Sequence, residues 1–335
     1  DNLPTGTGTI GTITDNQDGT YTATFTAGTT AGVVSITPKL NGTSFANPIN
    51  LTVTPGAPST SNSTVSGTSS TMVAGSGATS TLTVTLKDAN GNNLTSSGGT
   101  VTFSVTGTGT GTLSTVTDNG NGTYTVTYTA GTTAGNVSIL PRINGNGFAS
   151  PLNLSIIPGA VSTGTSVVTA SPSSLVVGTG TTSILTVQLK DANGNNLTSS
   201  AGAITFASLA SGAGSLGTVT DNLDGTYTVI YTVGTNPGTV AITAELNGTS
   251  FTNALNFIQS PPNQSPTDIS LSATSIAENQ PTGSTVGQFS TTDPDSGNTF
   301  TYALVSGNGD ADNGSFQIVN GELRTNAAFD YETKN

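Results

Sequence analysis

Half of the 18 carboxylates in this 335-residue sequence fall within its last 75 residues. They stand in groups: Glu278, Asp293 with Asp295, Asp310 with Asp312, and Asp330 with Glu332. Residues 261–335 hold 9 acidic side chains against 2 basic ones. Clustered carboxylates repel one another unless a cation lies between them. Hard oxygen ligands suit calcium, which takes six to eight of them. The chain has no His and no Cys, so His-centred acid–base work, thiol chemistry and the usual zinc sites are excluded. Ser and Thr are abundant, but no imidazole is present to activate them. Lys87 and Lys190 recur at equivalent strand ends and read as structural. The chemistry predicted is therefore calcium binding rather than catalysis, and the chain is expected not to be an enzyme.

A second oxygen-rich phrase, "DANGNN", occurs at Asp88–Asn93 and again at Asp191–Asn196. It has donors at positions 1, 3 and 5 of a calcium loop. It lacks the glycine at position 6 and the closing bidentate glutamate. It reads as a hairpin turn around Asn-Gly.

The net charge of −12 speaks against nucleic acid or an anionic membrane surface as partner. Only 7% of residues are charged, so solubility rests on Thr, Ser, Asn and Gly. Disorder is not expected, because Val, Ile and Thr are plentiful. No apolar stretch approaches the ~18 residues of a membrane helix. Asp1-Asn2-Leu3-Pro4 has neither the basic start nor the apolar run of a secretory leader.

The elements that must position these acids are organised by a repeat. Tyr21, Tyr124 and Tyr227 are 103 residues apart, as are Pro55, Pro158 and Pro261. The phrase "TDNGNGTYTVTYTAGTTAG" at Thr117–Gly135 matches Thr14–Gly32 and Thr220–Gly238 without insertion or deletion. A unit of 103 residues is the size of a sandwich domain rather than of a solenoid repeat. The predicted domains are a partial repeat at 1–56, whole repeats at 57–159 and 160–260, and a different module at 261–335. The first copy lacks the counterpart of Ala57–Phe103, so its core face is expected to be incomplete. One consequence considered is a filament in which another chain's strands complete it.

Within a repeat the apolar period is two. Leu82, Val84 and Leu86 alternate with Thr81, Thr83 and Thr85. Val101, Phe103 and Val105 alternate likewise, as do Tyr124, Val126 and Tyr128 and then Leu152, Leu154 and Ile156. The apolar set faces a core and the Thr set faces water. Asn90-Gly91, Asn121-Gly122, Asn144-Gly145 and Pro158-Gly159 mark the turns. Short strands at this spacing predict an all-β chain of tandem Ig-like β-sandwiches in an extended rod. Tyr124, Tyr128, Phe103 and Phe148 are the expected core anchors.

"LTVTLKDANGNNLTSSGGTVTFSV", "VTDNGNGTYTVTYTAGTTAG" and "PLNLSIIPG" together resemble bacterial Ig-like repeats of the invasin/intimin kind. The "GTY" phrase and the closing Pro-Gly also look like filamin-type repeats. This resemblance covers residues 1–260. Nearly all of residues 264–333, with "SPTDISLSATSIAENQPTGSTVGQFSTTDPDSGNTFTYALVSGNG" and the closing "FDYE", resemble a bacterial cadherin-like repeat, a β-sandwich whose last strands are expected beyond Asn335. That resemblance implies calcium as cofactor at the domain boundaries. It places Glu278, Asp330 and Glu332 at the far end. Asp293 and Asp295 fall at the near end, with Asn308 and the linker residue Asn263. The two resemblances imply a stalk or spacer segment of a bacterial surface adhesin, extracellular and joined to neighbouring modules of one long chain. Host-cell surfaces or glycans are then met through regions outside it. The alternative functions are a glycan- or protein-recognition module and a subunit of a self-assembling extracellular filament.

Overall fold

The structure, a computed structural model, describes residues 5–207, 209, 210 and 212–332. Asp1–Pro4, the stretch without a leader's basic start, lie outside the described residues. The chain divides into two compact units. One comprises residues 1–174, 182–232 and 239–258. The other comprises 175–181, 233–238 and 259–335. Among the described residues no helix is long and apolar enough to cross a membrane.

The second repeat shows how the period-two pattern becomes a sandwich. One sheet runs Gly111–Leu113, Thr123–Ala130, Thr79–Thr85, Thr64–Gly67, with Thr117–Asp118 also on Thr123–Ala130. The facing sheet runs Thr71–Val73, Leu152–Ile157, Gly135–Ile143, Val101–Gly107. Thr71–Val73 lies parallel to Leu152–Ile157, and the other pairs are antiparallel. The register puts Leu82 opposite Val126 and Val84 opposite Tyr124. Thr81, Thr83 and Thr85 then fall opposite Thr127, Thr125 and Thr123 on the outer face. A one-residue slip would turn every Leu, Val and Tyr outward, so the core itself specifies the pairing.

Two clusters fill the space between the sheets. One holds Leu82, Val126, Tyr128, Ile139, Leu154 and Ile156, and the other Val84, Leu86, Leu94, Tyr124, Ile143 and Phe148. Phe103 is half-buried and packs against both. Val105, expected inside, is exposed, because the strand Val101–Gly107 leaves the core as it runs outward. Tyr124 is anchored at its tip as well as its ring. Its hydroxyl donates to the Gly99 carbonyl at 2.7 Å and accepts from the Gly98 N–H at 3.1 Å. Tyr227 donates to Gly202 and accepts from Ala201 in the same way. The glycine before each tyrosine pair has a steric reason. Gly122 has a φ of 83° and a Cβ there would lie 2.3 Å from the Leu94 carbonyl oxygen. Gly225 sits in the same relation to Leu197.

The third repeat repeats this plan in the sheet Val167–Ser171, Thr182–Gln188, Thr226–Thr232, Ser215–Leu216. The first repeat has paired strands, such as Gly32–Ile36 with Ile49–Val53. Its core-equivalent side chains are open to solvent: Tyr21 is 58% exposed and Phe45 54%, against 2% for Tyr124 and 5% for Phe148. In the second unit, Asp268–Leu271, Thr285–Thr292, Glu322–Thr325 and Phe316–Val319 form a four-stranded sheet. Phe289 stacks on Tyr302 at 4.9 Å and Phe316 on Phe329 at 5.3 Å.

Removing a buried aromatic leaves a cavity, so Tyr124→Ala is expected to cost about 3–5 kcal/mol. Tyr124→Phe, which keeps the ring and deletes two hydrogen bonds, should cost about 1–2 kcal/mol. Denaturant melts of residues 57–162 check both, and a loss below about 1 kcal/mol for Tyr124→Ala would contradict the packing described.

Candidate functional site

Two sets of side chains stand out once the strands are placed: the predicted calcium ligands, and the "DANGNN" turns.

Glu278, Asp330 and Glu332 come together across more than fifty residues of sequence. Each presents a carboxylate oxygen such that all three oxygens lie within 4.8 Å of one another. Local backbone holds the arrangement. The Tyr331 N–H donates to Glu278 at 3.1 Å, and the Glu332 N–H donates to Asp330 at 3.1 Å. Oxygens bound to one calcium at 2.3–2.6 Å stand at most about 5 Å apart, so this set fits that ion in charge, hardness and spread.

The near-end residues form a second group. The Asp295 N–H donates to Asp293 at 2.7 Å, and the Gln264 N–H donates to Asp295 at 2.5 Å. Asn298, which the sequence reading did not select, donates at 3.3 Å to both Asn263 and Asp293. Asp293 Oδ2 is buried and, among the described residues, has no hydrogen-bond partner. An orphaned carboxylate oxygen also suits a cation. Asn308 sits in an exposed turn between Gly307 and Gly309. Among the described residues it forms no hydrogen bond with Asp293 or Asp295.

The "DANGNN" phrases are turns, as expected, with Gly91 and Gly194 at φ of 86° and 84°. They are also more than turns. Asp88 is 3% exposed, and its carboxylate collects four donors. Oδ1 accepts the N–H groups of Asn90 and Asn92, both at 2.9 Å. Oδ2 accepts the Asn92 side-chain amide at 2.8 Å and the N–H of linker residue Gly56 at 2.9 Å. Asn92, so held, reaches into the preceding repeat. Its Nδ2 donates to the Thr29 carbonyl at 2.8 Å, and its Oδ1 accepts the Ala31 N–H at 3.0 Å. The next junction reproduces this group by group. Asp191 accepts from Asn193, Asn195 and Gly159, and Asn195 bonds Thr132 at 2.8 Å and Ala134 at 2.9 Å. Each junction thus carries a carboxamide latch between a turn of one repeat and the "AGTTAG" loop of the repeat before it.

Two neutral hydrogen bonds of about 1 kcal/mol each would be weak between separate molecules. Here a short linker joins the partners, so the effective concentration is high and modest bonds hold the contact closed. The signal in the sequence was the sameness of the phrases. A hairpin turn needs only Asn-Gly, whereas "KDANGNN" is unchanged at Lys87–Asn93 and Lys190–Asn196.

The hydrogen bond from Asn92, then that from Gly56, holds the Asp88 carboxyl down to about 2. Burial pushes the Asp191 carboxyl up, but the bonds from Asn195, Gly159 and Asn193 outweigh it and its pKa is lowered. A carboxyl depressed on folding stabilises the fold above its unfolded pKa of ~3.9. That contribution is lost as pH falls through the folded value. The thermal midpoint of the chain should therefore fall between pH ~4 and ~2. The D88N/D191N variant should melt lower at neutral pH and lose less across that window. Equal slopes in calorimetric scans of the two proteins would contradict the role given to these carboxylates.

A family model described as invasin, domain 3, matches residues 2–56, 59–159 and 162–260. Among solved structures, the Escherichia coli adhesin FdeC is 33% identical, with 76% of this chain and 82% of that chain covered at a TM-score of 0.45. Yersinia pseudotuberculosis InvD is 27% identical over 70% of this chain and 71% of its own, at a TM-score of 0.43. Invasin, described as a bacterial integrin-binding protein, is 21% identical over 92% of this chain and 62% of its own, at 0.44. A comparison with curated proteins gave no match.

Proposed function

The chain belongs to the invasin domain 3 family, and on that premise we propose that it is a stalk segment of a bacterial surface adhesin, with repeats serving as spacers that carry a binding region away from the cell. The observation that supports this reading is the junction. Asn92 and Asn195 make the same pair of bonds to the loop of the repeat before, so consecutive repeats meet in one defined way. A spacer needs such repetition, because a free hinge at each linker would let the array fold back on itself. The strand Gly135–Ile143 has nine residues and spans about 30 Å at ~3.4 Å per residue, which sets the reach one repeat adds. The few charges and many Thr, Ser and Asn side chains suit an extracellular surface that resists non-specific contact.

Calcium belongs to this proposal at the second unit. Glu278, Asp330 and Glu332 would hold one ion, and Asp293, Asp295 and Asn263 a second. Bound calcium would neutralise facing acids and stiffen the ends of that module. No partner is assigned to residues 5–332 themselves. Host-cell proteins or glycans would be met by other parts of the adhesin.

Small-angle scattering on residues 1–260 should give the profile of a rod, and compaction to a globular profile would contradict the spacer role. Calorimetric titration of the whole chain with calcium should release or absorb heat. The E278Q/D330N variant should lose the binding step assigned to the far-end acids. A flat titration of the parent chain would remove calcium from the proposal.

A further inference from the structure

The latch has a third potential site in the chain, and that site differs. The "AGTTAG" loop of the first two repeats becomes "VGTNPG" in the third. At the 103-residue period, Thr132 corresponds to Thr235, and Ala134 to Pro237. Ala31 and Ala134 are the residues whose N–H groups donate to the latch carboxamide. Proline has no N–H, so the third loop lacks the donor that both other loops use.

The same loop is also braced differently from within. Gln259 stands where the second repeat has Ile156, a core residue. It is 2% exposed, so a carboxamide has replaced a methyl-rich side chain in a buried place. Its Oε1 accepts the Gly234 N–H at 2.8 Å and its Nε2 donates to the Asn236 carbonyl at 2.8 Å. A buried amide must find such partners, and it finds them in this loop. In the first two loops the corresponding atoms are held by backbone, the Gly28 and Gly131 N–H groups donating to Thr7 and Thr110, whose own N–H groups donate to Thr30 and Thr133, whereas in the third a side-chain carboxamide takes both.

The sequence beyond the third repeat agrees. Asp and Asn four residues apart, the spacing that lets the carboxylate hold the latch residue, occurs at Asp88/Asn92 and Asp191/Asn195 and nowhere after residue 260. The closed loop is therefore followed by a module without the latch motif.

We propose that the "AGTTAG" loop is a selective docking site whose partner is another repeat carrying D-x-x-x-N, and that Pro237 converts the third loop into a stop. The loop and the D-x-x-x-N motif form a code for module order. An open loop admits a further repeat of the same kind, and a closed loop ends the series and hands over to a different module. This does not rest on the stalk reading, since it concerns which modules can adjoin, whatever they carry.

The code predicts that the stop residue, moved one repeat earlier, breaks a junction that now exists. The chain has no cysteine, so T112C/T218C places spin labels at two exposed positions, one in the second repeat and one in the third. Double electron–electron resonance on the full chain should give a narrow distance distribution. A134P, which imports the proline of the third loop, should broaden it, and N195A should broaden it as much. Combining A134P with N195A should add nothing further. A134S keeps the N–H and should stay narrow. Proline already occupies this place in the third loop, so the loop is expected to tolerate it. If A134P nevertheless fails to fold, A31P with labels across the first junction takes its place, read against N92A. A narrow distribution in A134P or N195A, or broadening by A134S equal to that by A134P, overturns the proposal.

Discussion

One carboxylate per junction organises the contact on which the tandem array depends. Asp88 receives two backbone N–H groups of its own turn, the side-chain amide of Asn92 and the N–H of the linker glycine. No other short side chain can do this. An ionised carboxylate is acceptor-only and offers about four lone-pair sites, whereas asparagine would present two donors to the same ring of N–H groups. Four satisfied donors make burial of the charge tolerable. They also fix the linker and aim Asn92 at once, so the junction's direction is set by the same atoms that close the turn. The amide of Asn92 is then fully used: two donors to Thr29 and Asp88, and one acceptor to Ala31.

The core explains why the repeat tolerates no insertion. Tyr124, Val126 and Tyr128 face inward from one strand, and the loops at that strand's two ends serve different neighbours. At one end Asp118 and Asn121 close the turn that delivers Gly122 against Leu94. At the other, Ala130 leads into the loop that Asn195 grips. An added residue in the strand would turn the Tyr face outward. One in the loop would move Thr132 and Ala134 away from the next repeat. Packing and docking thus constrain one continuous phrase.

The strands were legible because a half-buried sheet writes a period of two, and Leu82 to Leu86 and Tyr124 to Tyr128 follow it to full burial. Val105 broke the rule because periodicity says which face a residue takes, not whether a strand end is covered. Ile184 and Ile230 are paired and exposed where the second repeat has Thr81 and Thr127. Both stand on the outer face, where apolar side chains are unusual. The latch was not legible from any one segment, since Asn92 and its partners lie more than sixty residues apart and a turn explained the phrase alone. The gathering of Glu278 with Asp330 and Glu332 came from family resemblance, as no local pattern links residues so far apart. Asn298 escaped notice because its role depends on where the loop after Asp295 returns. Among the described residues, Asn308 shares no hydrogen bond with Asp293 or Asp295.

Amide hydrogen exchange, resolved residue by residue by NMR, reads the junction bonds at their donors. Ala31 and Ala134 lie in surface loops where an unbonded N–H exchanges quickly. Both should be protected in the full chain at neutral pH, and N92A and N195A should release Ala31 and Ala134 respectively without disturbing the core amides of Val126 and Ile139. Exchange of Ala31 and Ala134 at the rate of open loop residues in the parent chain would show that the repeats are merely tethered and would contradict the latch.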